Sequence, residues 1–227
     1  MAEKIAIDAA GILTPEQKSF LAVVAEEKYL CRSFYFTGGT PLSAFYLHHR
    51  LSEDIDLFSE EEIYLPSISS FVKKVQKKLR IQKVDYNNFL GLHSFQLYFS
   101  KNNILKVDFN YYPFPRIEKG LKYKNLSVDS ILDIAVNKVH TIFMKPRARD
   151  FIDIYFILRQ EKFSLNDLIL KAKAKFDWHI DPVQFGVRLT QAAETSDYPR
   201  MLKKINHSEW KDFFVGEARK LKKEIFK

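Results

Sequence analysis

The feature that most constrains the fold is a short unit in which an aromatic segment, two glycines, an apolar segment and an acidic segment follow one another. It runs SFYFTGGTPLSAFYLHHRLSEDIDLF, residues 33–58. SFYFTGG predicts a strand that ends at a glycine turn, PLSAFYLHHR predicts a helix, and DIDLF predicts a second strand. The unit therefore indicates a sheet built together with helices.

Two acids occupy alternate positions in the second strand. Side chains at i and i+2 leave the same face of a strand, about 6.5 to 7 Å apart, so Asp54 and Asp56 should point together while Ile55 and Leu57 point away. Their charges repel unless a cation lies between them, and a pair of Mg²⁺ ions about 3.5 to 4 Å apart suits such carboxylates. A half-exposed strand with both acids facing water is the alternative.

Asp108 is a third acid, alone in the apolar strand LKVDF. The glycine turn adds a second kind of site, because Gly38 and Gly39 let the backbone approach a phosphate and Thr40 adds a hydroxyl at the start of the following helix. A turn without a ligand is the alternative for the glycines taken alone. Acids on neighbouring strands beside a glycine turn favour a metal and phosphate site.

The rest of the chain divides into a mixed first half and a helical second half. LTPEQ predicts a helix from Pro15 to about residue 30. A further helix is expected at 67–80, strands at 81–86, 93–100 and 103–110, and helices at 127–144, 147–160, 164–175, 181–194 and 208–227.

The predicted fold is α+β, with an α/β core whose mixed sheet is flanked by helices. The composition shifts near residue 120, which predicts a core domain at 1–120 and a helical domain at 121–227.

Charge and cysteine content restrict the partners and the compartment. The chain carries 36 basic and 28 acidic residues, a net charge of +8, which favours partners that bear phosphate. The single cysteine, Cys31, excludes an internal disulfide and a cysteine-based zinc cluster, and indicates a cytoplasmic protein. The longest apolar run, FIDIYFIL, is short and contains Asp153, so no membrane span is expected.

These motifs together resemble a known family. The glycine turn, the DIDLF strand and the later KVDF strand look like the nucleotidyltransferase core of the DNA polymerase beta superfamily. Within that superfamily, GGT-x-L, HHRLSEDIDLF and NKVHTIFMKPRARDFIDIYFIL resemble the AbiEii/AbiGii toxin family over residues 33–160. The helices beyond 160 match only as a run of helices.

The second half of the chain has one lysine and one acid in unusual settings. Lys138 lies beside the apolar stripe of its helix, four residues from both Ile134 and Ile142, and must either reach outward or serve a site. Asp153 lies in the most apolar run of the chain, where it needs a partner such as Arg149 or Lys138.

The resemblance implies a role for each of these residues. Lys138 would contact the nucleotide triphosphate, and Asp153 would orient it or assist catalysis. Arg50 matches the basic residue of the family motif and could bind a phosphate oxygen or an acid. The full expected set is catalytic Asp54, Asp56, Asp108, Lys138 and Asp153, with Asp54, Asp56 and Asp108 as metal ligands and Gly38, Gly39, Thr40, Arg50, Ser52, Lys138 and Arg149 as nucleotide-binding residues.

The expected function is transfer of a nucleoside monophosphate from an NTP to an acceptor, dependent on Mg²⁺ or Mn²⁺. By resemblance, the chain would be the toxin of a toxin-antitoxin or phage-abortive-infection pair, acting on tRNA, with a cognate antitoxin as partner and with residues 121–227 completing the nucleotide site. Two alternatives stay open. One is transfer to a hydroxyl of a protein or a small molecule, and the other is a catalytically silent nucleotide-binding module.

Overall fold

A computed structural model of the chain describes residues 11–179 and 181–225. The chain divides into two compact units. The sheet unit contains residues up to 48 together with 52–130, and the helical unit contains residues 49–51 together with those from 131 onward. The division lies at residue 130, beyond the composition shift near residue 120. The α+β class predicted from the sequence is confirmed.

Within the described residues, seven strands form one sheet in the order β3-β4-β5-β2-β1-β7-β6. The β2–β5 and β1–β7 pairs are parallel and the other neighbours are antiparallel, so the sheet is mixed as predicted. The strands are β1 (Tyr35–Thr37), β2 (Ile55–Ser59), β3 (Lys83–Phe89), β4 (Leu92–Ser100), β5 (Asn103–Tyr111), β6 (Lys122–Tyr123) and β7 (Leu126–Val128).

One face of this sheet is apolar and buried. This face carries side chains that are all 0% exposed: Ile55 and Leu57 of β2, and Val107 and Phe109 of β5. They alternate along each strand with residues whose side chains leave the other face. Burial of each such side chain stabilises the fold by roughly 1.5 to 3 kcal/mol. This alternation fixes the register of β2 and β5, and with it the face on which their acids lie.

Apart from the helical segment that follows the glycine turn, the described part of the sheet unit contains three helices. They are α1 (Pro15–Val24), α2 (Lys28–Ser33) and α4 (Leu65–Lys78). The Thr14 side chain accepts from the backbone N–H of Gln17 and the Gln17 side chain accepts from Thr14, which is the predicted capping box. The helix predicted to reach residue 30 instead ends at Val24 and restarts at Lys28. No glycine or proline marks that break, which is why the sequence did not indicate it.

The segment after the glycine turn is helical but not a plain α-helix. It consists of α3 (Gly39–Pro41) followed by a π-helical stretch, Leu42–Leu47. It ends at His48, which adopts the left-handed conformation with φ 52°. The predicted extension to residue 50 was therefore wrong, and residues 49–51 follow a different path in the helical unit.

The start of the second half also differs from the prediction. Leu126–Val128 forms β7, parallel to β1, so the helix expected from Ser127 begins at Ile131 instead. The segment alternates between buried Leu126, half-buried Ser127 and buried Val128. Three residues are too few to establish a strand period, and β6, with two residues, was missed for the same reason.

The helical unit is built from five α-helices in the described part of the chain. Phe151 of α6 contacts Trp210 and Phe214 of α9 with ring centroids 6.1 and 4.9 Å apart. These helices are α5 (Ile131–Met144), α6 (Ala148–Gln160), α7 (Leu165–Phe176), α8 (Pro182–Thr190) and α9 (His207–Ile225), with a 3₁₀ turn at Gln191–Ala193. Of the helix predicted at 208–227, residues 226 and 227 lie outside the described residues, as do 1–10 and 180.

No helix in the described ranges combines the length and apolar character needed to cross a bilayer.

Candidate active site

The two acids of DIDLF share one face of the sheet. Asp54 directly precedes β2 and Asp56 lies within it, and both are half-buried while Ile55 and Leu57 between and after them are fully buried. The alternation of burial shows that the acids leave the face opposite the apolar core. A strand that places two like charges together has a polar face able to attract a cation.

Asp108 lies directly beside Asp56. In the parallel β2–β5 pair the two residues are register partners, so their side chains leave the same face of adjacent strands, which lie about 4.8 Å apart. Asp108 is only 5% exposed, and its Oδ1 atom accepts no hydrogen bond from the described residues. A buried carboxylate oxygen of this kind is suited to a cation or a proton.

A glycine is required at position 38 by the close approach of Asp56. A Cβ on Gly38 would collide with Oδ2 of Asp56, and the residue has φ 84°, a conformation that side chains disfavour. Thr40, in the first helical turn, donates from Oγ1 to the backbone oxygen of Asp54 at 2.5 Å. The glycine turn and the start of the helical segment therefore lie against the acidic strand.

The structure adds Lys106, which the sequence argument did not select. Its Nζ lies 2.5 Å from Oδ2 of Asp108, two residues later in β5. Burial opposes its charged form, but the bond to Asp108 and the charges of Asp108, Asp54 and Asp56 hold the pKa of Lys106 above its ordinary value. The ammonium group therefore interacts with the three acids together. The i, i+2 spacing in LKVDF was the signal that could have found it.

A fourth acid, Asp129, was also missed. It is fully buried, and Oγ1 of Thr37 donates to its Oδ2 at 2.6 Å. Thr37 is the register partner of Asp56, so Asp129 is connected to the acidic face through one hydroxyl. The hydroxyl of Tyr46 also donates to the backbone oxygen of Asp129 at 2.8 Å. Asp129 follows β7, the strand that the sequence did not indicate.

The helical unit contains a separate network of buried charges around Asp153, which is 0% exposed. Arg50 donates to both carboxylate oxygens, from Nε at 2.6 Å and from Nη2 at 2.8 Å, while Nε2 of His49 lies 2.7 Å from Oδ1. Burial opposes the charged carboxylate, but the charges of Arg50 and Lys138 and the bonds from Arg50 and His49 hold the pKa of Asp153 well below its ordinary value.

Lys138 belongs to the same network. Its Nζ lies 2.5 Å from Asp153 and 2.8 Å from Asp150, whose other oxygen accepts from Nε of Arg147 at 2.9 Å. Of the two partners considered for Asp153, the structure shows Lys138, and it adds Arg50. Arg149 is exposed.

The same network bears on the alternative stated for Arg50 and on the charge of His49. Arg50 could bind a phosphate oxygen or an acid, and it binds an acid. Burial lowers the pKa of His49 despite the opposing influence of Asp153, so the neutral ring is favoured.

The predicted site residues therefore fall into two groups. Ser52 contributes its backbone oxygen, which accepts from Nε2 of Gln17 at 2.9 Å. The sheet unit holds Gly38, Gly39, Thr40, Ser52, Asp54, Asp56 and Asp108, and the helical unit holds Arg50, Lys138, Arg149 and Asp153. Their roles in nucleotide binding and catalysis stay predictions.

The acidic face fits a hard cation in its chemistry. Carboxylate oxygens are the ligands that Mg²⁺ prefers, and Oδ1 of Asp108 is a buried acceptor with no donor in the described part of the chain. Among the described residues, no three acid, histidine or cysteine side chains are arranged as a ready-made metal cage. Instead the Lys106 ammonium group lies against Asp108. Metal binding would therefore require a rearrangement of side chains on this face.

Comparison with known proteins agrees with this fold. An uncharacterized protein of Aquifex aeolicus (strain VF5), aq_aa25, is 28% identical over 155 residues, which is 65% of this chain and 68% of that protein. The crystal structure of JHP933 from Helicobacter pylori matches with a TM-score of 0.56 and 16% identity, covering 93% of this chain and 94% of that one. A second H. pylori structure, of a protein provisionally assigned as a nucleotidyltransferase, matches with a TM-score of 0.59 and 18% identity, covering 93% and 97%.

A family model extends the likeness to most of the sequence. Residues 20–216 match the model described as the nucleotidyl transferase AbiEii toxin of type IV toxin-antitoxin systems. The match includes the glycine turn, all three acids of the sheet face and the charged network of the helical unit. The chain therefore belongs to the AbiEii nucleotidyltransferase toxin family.

Proposed function

We propose that this chain transfers a nucleoside monophosphate from an NTP to an acceptor hydroxyl, with tRNA as the acceptor. Membership of the family supports nucleotidyl transfer as the reaction class. The observation that carries the proposal is the register of β2 and β5, which places Asp56 beside Asp108 on the face that Gly38 approaches. Phosphoryl-group chemistry needs charge neutralisation and positioning at such a face more than covalent help.

The sheet unit supplies the groups for the reaction. The acceptor oxygen attacks the α-phosphorus, the bond from that phosphorus to the bridging oxygen breaks, and pyrophosphate leaves. Oδ1 of Asp108 takes the proton of the acceptor hydroxyl, because it is a carboxylate oxygen that accepts no hydrogen bond from the residues that the structure describes. The backbone of Gly38 and Gly39, together with Thr40 and Ser52, positions the phosphates.

Asp54, Asp56 and Asp108 are the residues that would hold a divalent cation, Mg²⁺ or Mn²⁺. When bound, such a cation neutralises triphosphate charge and lowers the pKa of a coordinated hydroxyl. Asp54 and Asp56 are half-buried, so part of each residue is exposed to solvent.

In the helical unit we assign Lys138 to a triphosphate oxygen and Asp153 to the orientation of Lys138. The support is the bond between the two, which fixes the position of the amine of Lys138, a residue that is 7% exposed. Arg50 positions Asp153 through its bidentate bond. Arg149, which is exposed, is assigned to the nucleotide as a surface contact.

The transfer assay tests the reaction directly. Each of the four NTPs, labelled at the α-phosphate, is incubated with the protein and either purified tRNA or total cell protein. Label on tRNA is the expected result. Label only on protein or on small molecules would support the alternative acceptor and contradict the tRNA assignment.

Asp56→Asn is the central variant because asparagine has nearly the same shape as the Asp56 side chain that lies against Gly38, but carries no charge. It should abolish transfer, whereas Asp85→Asn, on the edge strand β3 of the same sheet, should not. A silent binding module predicts instead that the wild type transfers no label and that Asp56→Asn leaves NTP and metal affinity unchanged.

The role as a toxin with a cognate antitoxin rests on the family. Induced expression in a bacterial host should arrest growth, and Asp56→Asn should relieve the arrest at equal protein level. Arrest that persists in Asp56→Asn would separate toxicity from nucleotidyl transfer. Phage challenge of cells that carry the toxin with its antitoxin tests a role in abortive infection.

A further inference from the structure

Lys106 is placed on the acidic face by the same register that places Asp108. Ile55 pairs with Val107 in the parallel β2–β5 ladder, so Lys106, one residue earlier, lies beside Asp54. Its side chain bonds to Asp108 and is 40% exposed, while that of Asp108 is 8% exposed. The backbone of Lys106 therefore lies beside Asp54, while its ammonium group contacts the carboxylate of Asp108.

Lys106 contributes a positive charge to the acidic face. Three ionised carboxylates at this spacing repel one another, and no ready-made cage of acid, histidine or cysteine ligands exists in the described portion of the chain. The ammonium group of Lys106 supplies one positive charge to the group of Asp54, Asp56 and Asp108. It also occupies Oδ2 of Asp108, whose Oδ1 has no donor among the described residues.

We propose that Lys106 is a built-in counter-cation of Asp108 that competes with the divalent ion for this carboxylate. This inference rests on the proposed function, because it takes the three acids as metal ligands. Entry of the ion then displaces the ammonium group from Oδ2. The metal affinity of the enzyme is set below that of the three acids alone, which favours exchange of the ion between turnovers.

A second pair in the sheet provides a matched control. Lys83 and Asp85 have the same i, i+2 spacing in β3, with Nζ 2.7 Å from Oδ2. That pair lies at the edge of the sheet, three positions along the strand order from β2, and its side chains are 63% and 42% exposed. Removing Lys83 deletes a similar pair without touching the acidic face.

The test is a Mn²⁺ titration of the wild type, Lys106→Met and Lys83→Met without nucleotide, followed by calorimetry and by the electron paramagnetic resonance of free Mn²⁺. We expect Lys106→Met to bind Mn²⁺ roughly tenfold more tightly than the wild type, since one repelling charge near the ion is removed. Lys83→Met should bind as the wild type does.

Thermal melting gives an independent readout. In EDTA, Lys106→Met should melt below the wild type because Asp108 loses its ion pair, and Mn²⁺ should raise its Tm more than that of the wild type. Lys106→Arg keeps the charge and should restore both properties. Lys106→Arg is also the folded comparison if Lys106→Met does not fold in EDTA. In that case the inference requires that Lys106→Arg binds Mn²⁺ with wild-type affinity. It also requires that Mn²⁺ restores folding of Lys106→Met.

The outcomes separate the two hypotheses. A wild type that binds Mn²⁺ and a Lys106→Met variant that binds it equally or more weakly would overturn this inference and leave the proposed function in place. A wild type with a flat titration, with or without NTP, would overturn the metal-dependent function itself, and the inference with it.

Discussion

At the scale of a single residue, the backbone conformation of Gly38 determines how closely the glycine turn approaches the acidic face. It combines a positive φ with the absence of a Cβ, and the atom that a Cβ would meet belongs to Asp56. A glycine in a turn is common, and the sequence could indicate it only as a potential phosphate loop. The contact with Asp56 shows that the same residue also makes room for a carboxylate.

We expect Gly38→Ala to destabilise the fold by about 1 to 3 kcal/mol and to abolish transfer, since it combines backbone strain with a displaced Asp56. Gly216→Ala is the matched control. Gly216 lies within α9 with nothing near its would-be Cβ, so this change should be neutral or stabilise by up to about 1 kcal/mol. Urea unfolding measures both. A stable, active Gly38→Ala would contradict the contact.

Asp153 gives a prediction for pH. Its pKa in the folded protein lies well below its ordinary value of about 3.9, so its contribution to stability is present above that pH and is lost as the pH falls through the folded value. The difference in unfolding free energy between the wild type and Asp153→Asn should therefore be largest near neutral pH and shrink below about pH 4. Parallel curves in urea unfolding from pH 7 to 3 would contradict it.

At the scale of elements, the sequence predicted what has a clear period and missed what does not. β2 to β5 and the helices of the second half were indicated because they are long enough to show alternation or an apolar stripe. The short strands β6 and β7, and the π-helical stretch Leu42–Leu47, carry no such signal. The register of the parallel strands also could not be predicted from the sequence, and this register places Asp108 beside Asp56.

The ion-pair network links elements that are far apart in the chain. Segment 49–51, α5 and α6 meet at Asp153 through Arg50 and Lys138. Sequence reasoning identified the buried acid but not Arg50 as its partner, because their separation in the chain hides the pair. The network lets one buried carboxylate position two elements at once.

Removing one member of such a network leaves an uncompensated buried charge. We expect Arg50→Met to cost about 3 to 5 kcal/mol of unfolding free energy, toward the lower end because Lys138 still contacts Asp153. Arg149→Met, in the same helix as Asp153 but exposed, should change stability by no more than about 0.5 kcal/mol. Denaturant unfolding compares them. Equal effects of the two would mean that the Arg50 bond is energetically unimportant.

For the molecule as a whole, the net charge of +8 is the property most relevant to an RNA acceptor. Association with tRNA should weaken steeply as salt rises, since bound phosphates release their counterions. The logarithm of the tRNA association constant should fall linearly with the logarithm of salt concentration between about 50 and 200 mM. Asp56→Asn should show the same slope in filter binding. An affinity that does not depend on salt would contradict an electrostatic acceptor surface.

The path of residues 49–51 has a consequence for anyone who would divide this chain into pieces. They belong to the helical unit although the sheet unit precedes and follows them in the sequence. A cut after residue 130 gives an amino-terminal fragment that carries Arg50 away and a carboxy-terminal fragment that keeps Asp153. An exchange of the helical unit between relatives would therefore have to include residues 49–51 as well as those from 131 onward.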